Sequence, residues 1–396
     1  MKTRILLPLA ILVLAGSLVL GACSTSEDEQ TIKIGVLASL TGPLAQEGIE
    51  HVMGIELALD EVGYEVAGKE IELITEDIGV DPGLCLTKVK KLNEVDNVDL
   101  VLGPSSVGQI LAIRDYIDEN ELLTISPMCP TPKMTGELYT PYFFRSSYNY
   151  NQENALAAYI AYEEKGYRKV AAIFVDIEDG HGNWEPFKEV FEGLGGEVVL
   201  EIATPMETPD YAPYMAQIDA ENTDVIWSFH LGGDAIRFVQ ALDEYGIKDE
   251  VPVLCSPATV SEGWLAPMGD AALGIESTTN YSPVLDTPEN TEFAQALWDK
   301  DQQRPTIPIE HGYVAARMAI LALEEVDGDV SDLDSLIEAL ENLEFEAPRG
   351  PIKFEQHTPV QNLYHRVVER VDGELQNTVV GTYPDIGPVW VPAGLE

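Results

Sequence analysis

The chain has 396 residues, of which 68 are acidic and 23 basic, and its formal net charge at neutral pH is −45. A surface this negative repels a phosphate backbone, so the composition excludes a nucleic-acid-binding protein. Because 45% of the residues are hydrophobic and only 23% are charged, a disordered chain is excluded as well. Four cysteines are too few for a disulfide scaffold, and their spacing matches no zinc ribbon. We therefore expect two or three domain-sized cores, with no metal and no cofactor.

Residues 1–23 have the pattern of an export signal. Lys2 and Arg4 precede an apolar run that ends in Leu-Gly-Ala followed by Cys23. This ending is similar to the bacterial lipoprotein signal, in which the cysteine is lipidated and becomes the first residue of the mature chain. The alternatives are an uncleaved membrane anchor and a plain signal peptide with an incidental cysteine. The polar residues 24–31 predict a solvated tether, and no later stretch approaches the roughly 20 apolar residues of a membrane span.

Short β-rich runs alternate with amphipathic stretches from Ile32 onward. The apolar residues Val52, Ile55 and Leu59 share one face of the first predicted helix because their spacing follows the helical repeat. Four strand-then-helix units predict a parallel, doubly wound sheet, since parallel neighbours need crossover helices. The strands predicted for these units are residues 32–38, 70–74, 100–102 and 123–125.

The same alternation begins again near residue 150 and predicts a second α/β lobe. Its predicted strands are residues 169–175, 197–201, 224–229 and 251–254. Its predicted helices are residues 152–165, 184–194, 214–220 and 233–245. The remainder of the chain is predicted to hold three helices, at 290–303, 308–326 and 333–342, and strands at 351–354, 363–371 and 379–383.

Several loops carry a family resemblance. Residues 40–43, 103–106 and 125–127 each follow a predicted strand, and they read Leu-Thr-Gly-Pro, Gly-Pro-Ser-Ser and Ile-Ser-Pro. Together with Ile34-Gly35-Val36, their order and spacing resemble the type I periplasmic binding proteins. The branch resembled is that of the branched-chain amino acid (Leu/Ile/Val) binding proteins of ABC importers. Further matches extend the resemblance over essentially the whole mature chain; they are Gly182, 194–198 and 349–354.

The resemblance implies two Rossmann-like lobes with a ligand cleft between them and closure by hinge motion. It assigns residues 32–144 plus 281–350 to lobe one and residues 145–280 plus 351–396 to lobe two. It also implies an extracytoplasmic, monomeric substrate-binding lipoprotein, anchored through Cys23, that delivers a small solute to ABC permease subunits without catalysis. The three segments predicted to cross between the lobes are 143–146, 274–281 and 350–354.

The ligand site is predicted at the loops that follow the strands, because ligands of open α/β sheets lie beyond the carboxyl ends of the strands. In lobe one, Ser105 and Ser106 stand just before a helix, where unpaired amides and the helix dipole favour a carboxylate. Serine before a helix is ordinarily an N-cap, whereas the resemblance implies that this serine contacts the ligand carboxylate. Cys129 and Thr131 are the further candidates after the fourth strand, although the intervening Pro130 offers no backbone donor.

Lobe two offers His181, His230 and Ser256 after its strands. The two histidines stand where the family places aromatic side chains, and each could either contact a bound acid or be a surface residue. Tyr281 is a further aromatic candidate, weighed against a place in the core.

The acidic residue that pairs with a ligand ammonium in the family maps near Ser256, which supplies no charge. A buried ammonium without such a partner is costly, so two interpretations stay open. The ligand is either a branched-chain or other hydrophobic amino acid, with Asp77, Asp179 or Asp234 supplying the charge, or a solute without an amino group. The second class comprises aromatic and aliphatic acids, amides and urea-like compounds.

Two further hypotheses concern chemistry and cysteine pairing. The sequence has no Gly-x-Ser-x-Gly elbow, His-Glu-x-x-His pair or Walker loop, so no catalytic residue is predicted. The alternative classes are a secreted hydrolase and a ligand-sensing module for a receptor. Cys85 corresponds to a half-cystine of some family members, and a bridge from Cys85 to Cys129 is one option.

Overall fold

A computed structural model describes residues 31–393 and residue 395. In this part of the chain, fifteen strands form two sheets, of six and nine strands. The strands are β1 (Ile32–Ala38), β2 (Glu65–Val66), β3 (Lys69–Asp77), β4 (Leu100–Leu102), β5 (Thr124–Ser126), β6 (Phe143–Arg145), β7 (Lys169–Val175), β8 (Glu197–Thr204), β9 (Val225–Phe229), β10 (Val253–Cys255), β11 (Glu276–Thr279), β12 (Glu344–Ala347), β13 (Gly350–Glu355), β14 (Thr358–Val371) and β15 (Glu374–Ile386). The α-helices are α1 (Ala45–Glu61), α2 (Pro82–Lys91), α3 (Val107–Glu119), α4 (Tyr150–Tyr159), α5 (Glu178–Gly193), α6 (Ala212–Met215), α7 (Gly232–Glu244), α8 (Ile247–Glu250), α9 (Glu262–Met268), α10 (Pro288–Asp301), α11 (Ile307–Glu325) and α12 (Leu333–Glu341).

The first sheet has the strand order β2-β3-β1-β4-β5-β6. All its pairs are parallel except the short β2–β3 pair. Strand β1 lies between β3 and β4, so the chain turns to one side of β1 first and to the other side afterwards. This reversal of strand order between β1 and β4 is a topological switch point, where such sheets leave a crevice.

The second sheet has the order β12-β13-β14-β11-β10-β9-β7-β8, with β15 paired to β14. Strands β7 to β11 are mutually parallel, and the strands from β12 onward are antiparallel. Strand β7 lies between β8 and β9, which gives this sheet its own switch point. The predicted α/β class with two doubly wound lobes is thus confirmed.

Helices cover both faces of each sheet. On the first sheet, α1, α11 and α12 bury their apolar residues in one cluster, and α2 and α3 bury theirs in another. On the second sheet, α4 and α5 cover one face while α7 and α9 cover the other. Burial on both faces explains why strands such as β4 and β9 are wholly buried rather than alternating.

The segments between the lobes are joined by buried hydrogen bonds. Arg349 donates from Nη2 to the carbonyl oxygen of Ser146 at 2.5 Å, and the Ser146 hydroxyl donates to the carbonyl oxygen of His311 at 2.8 Å. His311 Nε2 in turn lies 3.0 Å from Asn280 Oδ1. These contacts connect the chain after β6, the chain after β11 and the chain before β13. The residue boundaries of the lobes given above stay a prediction.

Several predicted elements differ from the observed ones. Helix α5 begins at Glu178, six residues before the predicted start at Trp184, so Asp179 and His181 lie in its first turn rather than in a loop. The helix predicted at 214–220 is reduced to the single turn α6. Strands β6 and β12 were not predicted, because each has only three or four residues and gives almost no periodic signal.

Cys85, Cys129 and Cys255 are separate, buried thiols, so the suggested Cys85–Cys129 bridge is not formed. The predicted signal peptide 1–23, the lipidation site Cys23 and the tether up to residue 30 lie outside the described residues. Among residues 31–393, no helix combines the length and the apolar character needed to cross a membrane.

Candidate functional site

The two switch points determine which side chains can line a common cleft. In lobe one, the loop between β1 and α1 and the loop between β4 and α3 adjoin, since β1 and β4 pair in register at Val36 and Leu102. In lobe two, the loop from β7 to α5 adjoins the loop from β9 to α7 for the same reason. The helices α1, α3 and α5 therefore all begin at the cleft.

Ser105 and Ser106 lie at the amino end of α3, as predicted. Ser106 occupies the N-cap position with an extended backbone, but its hydroxyl makes no capping hydrogen bond. Both serines are only partly buried. The first amide groups of the helix and the two hydroxyls are thus available to an anion, and the helix dipole favours one there.

The approach of this loop to β1 depends on Gly103, which has a left-handed φ of 103°. A Cβ at this position would lie 2.2 Å from the carbonyl oxygen of Leu37. Glycine therefore lets the serine loop lie directly against the end of β1, at the switch point.

Cys129 and Thr131 belong to a loop that Arg145 holds in place. Arg145 is fully buried and donates from Nη1 to the carbonyl oxygens of Cys129, at 2.5 Å, and Thr131, at 3.0 Å. Burial raises the pKa of the Cys129 thiol to about 12, so the sulfur is protonated and is no nucleophile. The Thr131 hydroxyl accepts from the Lys133 amide at 3.4 Å.

Two carboxylates from opposite lobes lie close enough for the charge of one to act on the other. Glu47, in the first turn of α1, and Asp179, in the first turn of α5, interact through their charges. Burial, and after it the charges of Asp179 and Glu50, raise the pKa of Glu47 to about 7. Burial likewise raises the pKa of Asp179. Within residues 31–393, no ion pair is formed by either carboxylate. The pair is therefore suited to a ligand cation.

Two tyrosines complete this part of the cleft. Tyr150 donates a hydrogen bond from its hydroxyl to Asp179. Burial and the charge of Glu153, and after them the charges of Glu47 and Asp179, hold the pKa of Tyr148 well above its ordinary value, so its hydroxyl lies near all three carboxylates. At the rim, Lys133 Nζ of lobe one lies 3.4 Å from Glu178 Oε1 of lobe two, and the two lobes touch there.

The two histidine candidates lie in different surroundings. His181 is exposed, and its Nε2 lies 2.8 Å from Asp176 Oδ1. His230 is fully buried and stacks on Phe238 with ring centroids 4.0 Å apart, so the alternative of a surface residue is wrong for it. Burial lowers the pKa of His230 to about 3, so the ring is neutral. Ligand contact by either histidine stays a prediction.

Ser256 and Tyr281 are both buried. The Ser256 amide donates to the carbonyl oxygen of Ser228 at 3.0 Å, in continuation of the β9–β10 pairing. The Tyr281 hydroxyl donates to Asn290 Oδ1 at 2.8 Å, and its ring packs with Phe293 in a core cluster of lobe one. The contacts of Tyr281 are those of a core residue, and its predicted ligand contact is untested.

Of the three aspartates considered as ammonium partners, Asp179 is the one whose charge acts on Glu47 of lobe one. Asp77 accepts hydrogen bonds from the Leu40 and Gly79 amides and the Thr41 hydroxyl. Asp234 is paired with Arg237 at 2.6 Å. Their acceptor capacity is used within their own lobes.

Glu47, Tyr148 and Tyr150 are the cleft residues that the sequence reasoning missed. The candidates were restricted to loops, whereas Glu47 and Tyr150 lie inside the first turns of helices. The signal available for Glu47 was its place four residues after Pro43 in the Leu-Thr-Gly-Pro loop.

Across residues 31–393, no group of three or more His, Cys, Asp or Glu side chains is arranged to hold a metal ion.

Comparison with known proteins gives consistent matches along the chain. Residues 31–373 match the sequence model of a family described as periplasmic binding protein. A curated relative, Leu/Ile/Val-binding protein homolog 6 of Brucella melitensis, is 26% identical over 366 residues, which are 90% of this chain and 92% of the relative.

Solved structures are similar over the same extent. An ABC transporter substrate-binding protein from Sphaerobacter thermophilus is 36% identical with a TM-score of 0.88, and the match covers 91% of this chain and 99% of that one. A solute binding protein of an ABC transporter from Rhodopseudomonas palustris, in complex with 3,4-dihydroxybenzoic acid, is 31% identical with a TM-score of 0.83. That match covers 90% of this chain and 98% of the other.

Proposed function

The chain belongs to the periplasmic binding protein family, and we propose that it captures a hydrophobic amino acid of the leucine, isoleucine and valine class between its lobes. The family comprises extracytoplasmic solute-binding proteins of ABC transporters and is not a class of enzymes. Closure of the lobes over the ligand would present a form that the permease subunits accept.

The observation that carries the proposal is that Glu47 and Asp179 lie close enough for the charge of Asp179 to raise the pKa of Glu47, while neither is paired with a cation in the described residues. Like charges that share a poorly solvated site raise each other's pKa, and a ligand ammonium would relieve that repulsion. The uncapped amino end of α3, with Ser105 and Ser106, offers the complementary place for a carboxylate. A ligand with one ammonium and one carboxylate satisfies both ends of the cleft. The name of the Brucella relative, a Leu/Ile/Val-binding protein homolog, agrees with this ligand class.

An aromatic acid is the second candidate. It is favoured by the Rhodopseudomonas palustris protein, which binds 3,4-dihydroxybenzoic acid and is 31% identical to this chain. Such a ligand would use the serines at α3 in the same way, and its phenol hydroxyls could donate hydrogen bonds to Glu47 and Asp179, but it would bring no cation to these two carboxylates. The presence of those two carboxylates makes the amino acid the better proposal.

Thermal unfolding of the chain from residue 24 onward distinguishes the two candidates. Leucine would be compared with 4-methylpentanoic acid, which lacks the amino group, with 3-methylbutylamine, which lacks the carboxylate, and with 3,4-dihydroxybenzoate. A ligand at a hundred times its Kd adds about 2.7 kcal/mol to the stability of the folded state. We expect leucine to raise Tm by several degrees and both truncated analogues to have little effect. A shift with 3,4-dihydroxybenzoate alone would establish the aromatic acid, and no shift with any small solute would contradict the binding function itself.

The chain is further proposed to be a monomer held at the membrane by a lipid on Cys23. The support is the sequence alone, with its positive start, apolar run and Leu-Gly-Ala-Cys ending. We expect Cys23→Ala to move the protein from the membrane fraction to the soluble fraction of cells that express the full chain. Retention of the variant in the membrane fraction would contradict the lipid anchor.

A further inference from the structure

Tyr150 is placed between the two walls of the cleft. It is the first residue of α4 and is buried, with 3% of its surface exposed. Its amide donates to the carbonyl oxygen of Pro130 at 2.8 Å, in the loop that also holds Cys129 and Thr131. Its hydroxyl donates to Oδ1 of Asp179, on α5 of lobe two. The residue therefore connects the ligand loop of lobe one to the carboxylate of lobe two.

Gly182 provides the room that the tyrosine ring needs. It lies one helical turn after Asp179, and a Cβ at this position would lie 2.6 Å from Cε2 of Tyr150. A second contact fixes the same two helices, because Asn154 Nδ2 donates to Asn183 Oδ1 at 3.0 Å and Asn183 Nδ2 donates to the carbonyl oxygen of Asp179 at 2.8 Å. Two side-chain hydrogen bonds, from Tyr150 to Asp179 and from Asn154 to Asn183, thus join the amino-terminal parts of α4 and α5.

We propose that Tyr150 is a positioning residue, which orients Asp179 toward the ligand and keeps its carboxylate charged, and that Gly182 is required because it admits the tyrosine ring. The inference rests on the proposed function, since Asp179 is taken as a partner of the ligand ammonium. The specificity for an amino group then depends on two residues, Tyr150 and Gly182, that carry no charge and need not touch the ligand.

The electrostatic reason is that Asp179 lies among groups that disfavour its charge. Burial is the largest cause of its raised pKa, the charge of Glu178 adds to it, and the Tyr150 hydrogen bond is the main opposing effect. The Tyr150 hydroxyl remains a donor because burial and the charge of Asp179 hold the pKa of Tyr150 well above its usual range. The titratable and charged groups that face Asp179 or its neighbour Glu178 are Glu47 on α1, Tyr148 before α4, Tyr150 on α4, Cys129 after β5 and Lys133.

Tyr150→Phe removes the hydroxyl, and Gly182→Ala keeps it but displaces the ring. Tyr245→Phe, on the exposed end of α7, is the matched control. For leucine we expect both cleft variants to bind about tenfold more weakly than the parent protein, because a hydrogen bond to a charged group is lost. The loss should be larger at pH 6 than at pH 8, since Asp179 without its donor is protonated more easily. A merely structural role for Tyr150 would weaken binding equally at both pH values, and binding like that of the parent protein would overturn the proposal directly.

A second measurement keeps the inference separate from the ligand assignment. The titration of the Asp179 carboxyl carbon, followed by NMR in the ligand-free protein, should move to higher pH in Tyr150→Phe and Gly182→Ala but not in Tyr245→Phe. If leucine fails to bind the parent protein while this shift is seen, the proposed function is wrong and the positioning role stands. An unchanged Asp179 titration in both cleft variants would refute the positioning role whatever the ligand.

Discussion

At the scale of single residues, the cleft is characterised by acidic groups that no cation of their own lobe neutralises. Asp77 and Asp234 are acidic residues that could bind a ligand ammonium, but their carboxylate oxygens are already paired with groups of their own lobe. Asp179 accepts a hydrogen bond from Tyr150 but is paired with no cation, and neither is Glu47 within the described residues. Burial raises the pKa of both carboxyl groups, and the charge of Asp179 raises that of Glu47 further. The assignment of function thus depends on which acidic residues are already paired, and that information is absent from a list of residue types.

Glu47 gives a stability prediction with a definite sign. Its pKa is raised from 4.5 to about 7 in the folded protein, so the folded state binds more protons than the unfolded state between these pH values. The favourable contribution is therefore complete below pH 4.5 and is lost as pH rises through about 7. We expect the free energy of unfolding, measured with urea, to fall by about 1–2 kcal/mol more in the parent protein than in Glu47→Gln between pH 5 and 8. Glu119→Gln, at the exposed end of α3, is the control and should follow the parent protein. Identical pH dependence in Glu47→Gln and the parent protein would contradict the burial of this carboxyl group.

At the scale of secondary-structure elements, the lobe cores depend on close contact between helices. Helices α1 and α11 meet at Gly54, where a Cβ would lie 1.9 Å from the carbonyl oxygen of Ile309. No side chain fits at that distance, so the helix axes would have to separate.

Gly54→Ala should therefore destabilise the protein by about 2 kcal/mol or more, despite the higher helix propensity of alanine. Gly263→Ala in α9, where a Cβ has open space, is the control and should be neutral or stabilising by up to about 1 kcal/mol. Chemical unfolding of the two variants checks this. Equal stability of Gly54→Ala and Gly263→Ala would show that α1 and α11 are not packed as described.

The elements that the sequence predicted well are those with strong periodicity and clear ends. Strands β1, β4 and β7 and helices such as α2, which starts at a proline, were predicted to within a residue. The start of α5 was missed, because Asp179, Gly180 and Gly182 suggest a loop when they are read alone. In the structure Gly180 is needed for space, since a Cβ there would lie 2.0 Å from the carbonyl oxygen of Val175.

The placement of Ser105 and Ser106 at α3 was predictable from their order after a buried strand. The proximity of Glu47 to Asp179 was not predictable, because it depends on how the two lobes are arranged.

At the scale of the whole molecule, a buried ion pair lies close to the segments that connect the lobes. Glu310 on α11 and Arg349 before β13 are both fully buried, and Oε1 of Glu310 lies 3.3 Å from Nε of Arg349. Arg349 also donates to Ser146, which follows β6. Removal of one partner of such a pair leaves an uncompensated charge in the interior.

Glu310→Gln should thus lower the stability of the ligand-free protein by about 3–5 kcal/mol. Glu374→Gln breaks the exposed pair with Arg304 and should change stability by less than about 1 kcal/mol. Urea denaturation of both variants beside the parent protein provides the comparison. A Glu310→Gln variant as stable as Glu374→Gln would indicate that Arg349 is not held as a buried cation.

The most direct test of the account is calorimetric titration of leucine into the parent protein, Asp179→Asn and the control Asp118→Asn. The control alters an acidic residue on α3 that forms an ion pair with Arg114. The account predicts one leucine bound per chain and a loss of at least about thirtyfold in affinity for Asp179→Asn, because a charged partner of the ligand ammonium is removed. Asp118→Asn should bind as the parent protein does. Equal affinity of Asp179→Asn and the parent protein, or no binding of leucine by either, would contradict the capture of an amino acid between Glu47 and Asp179.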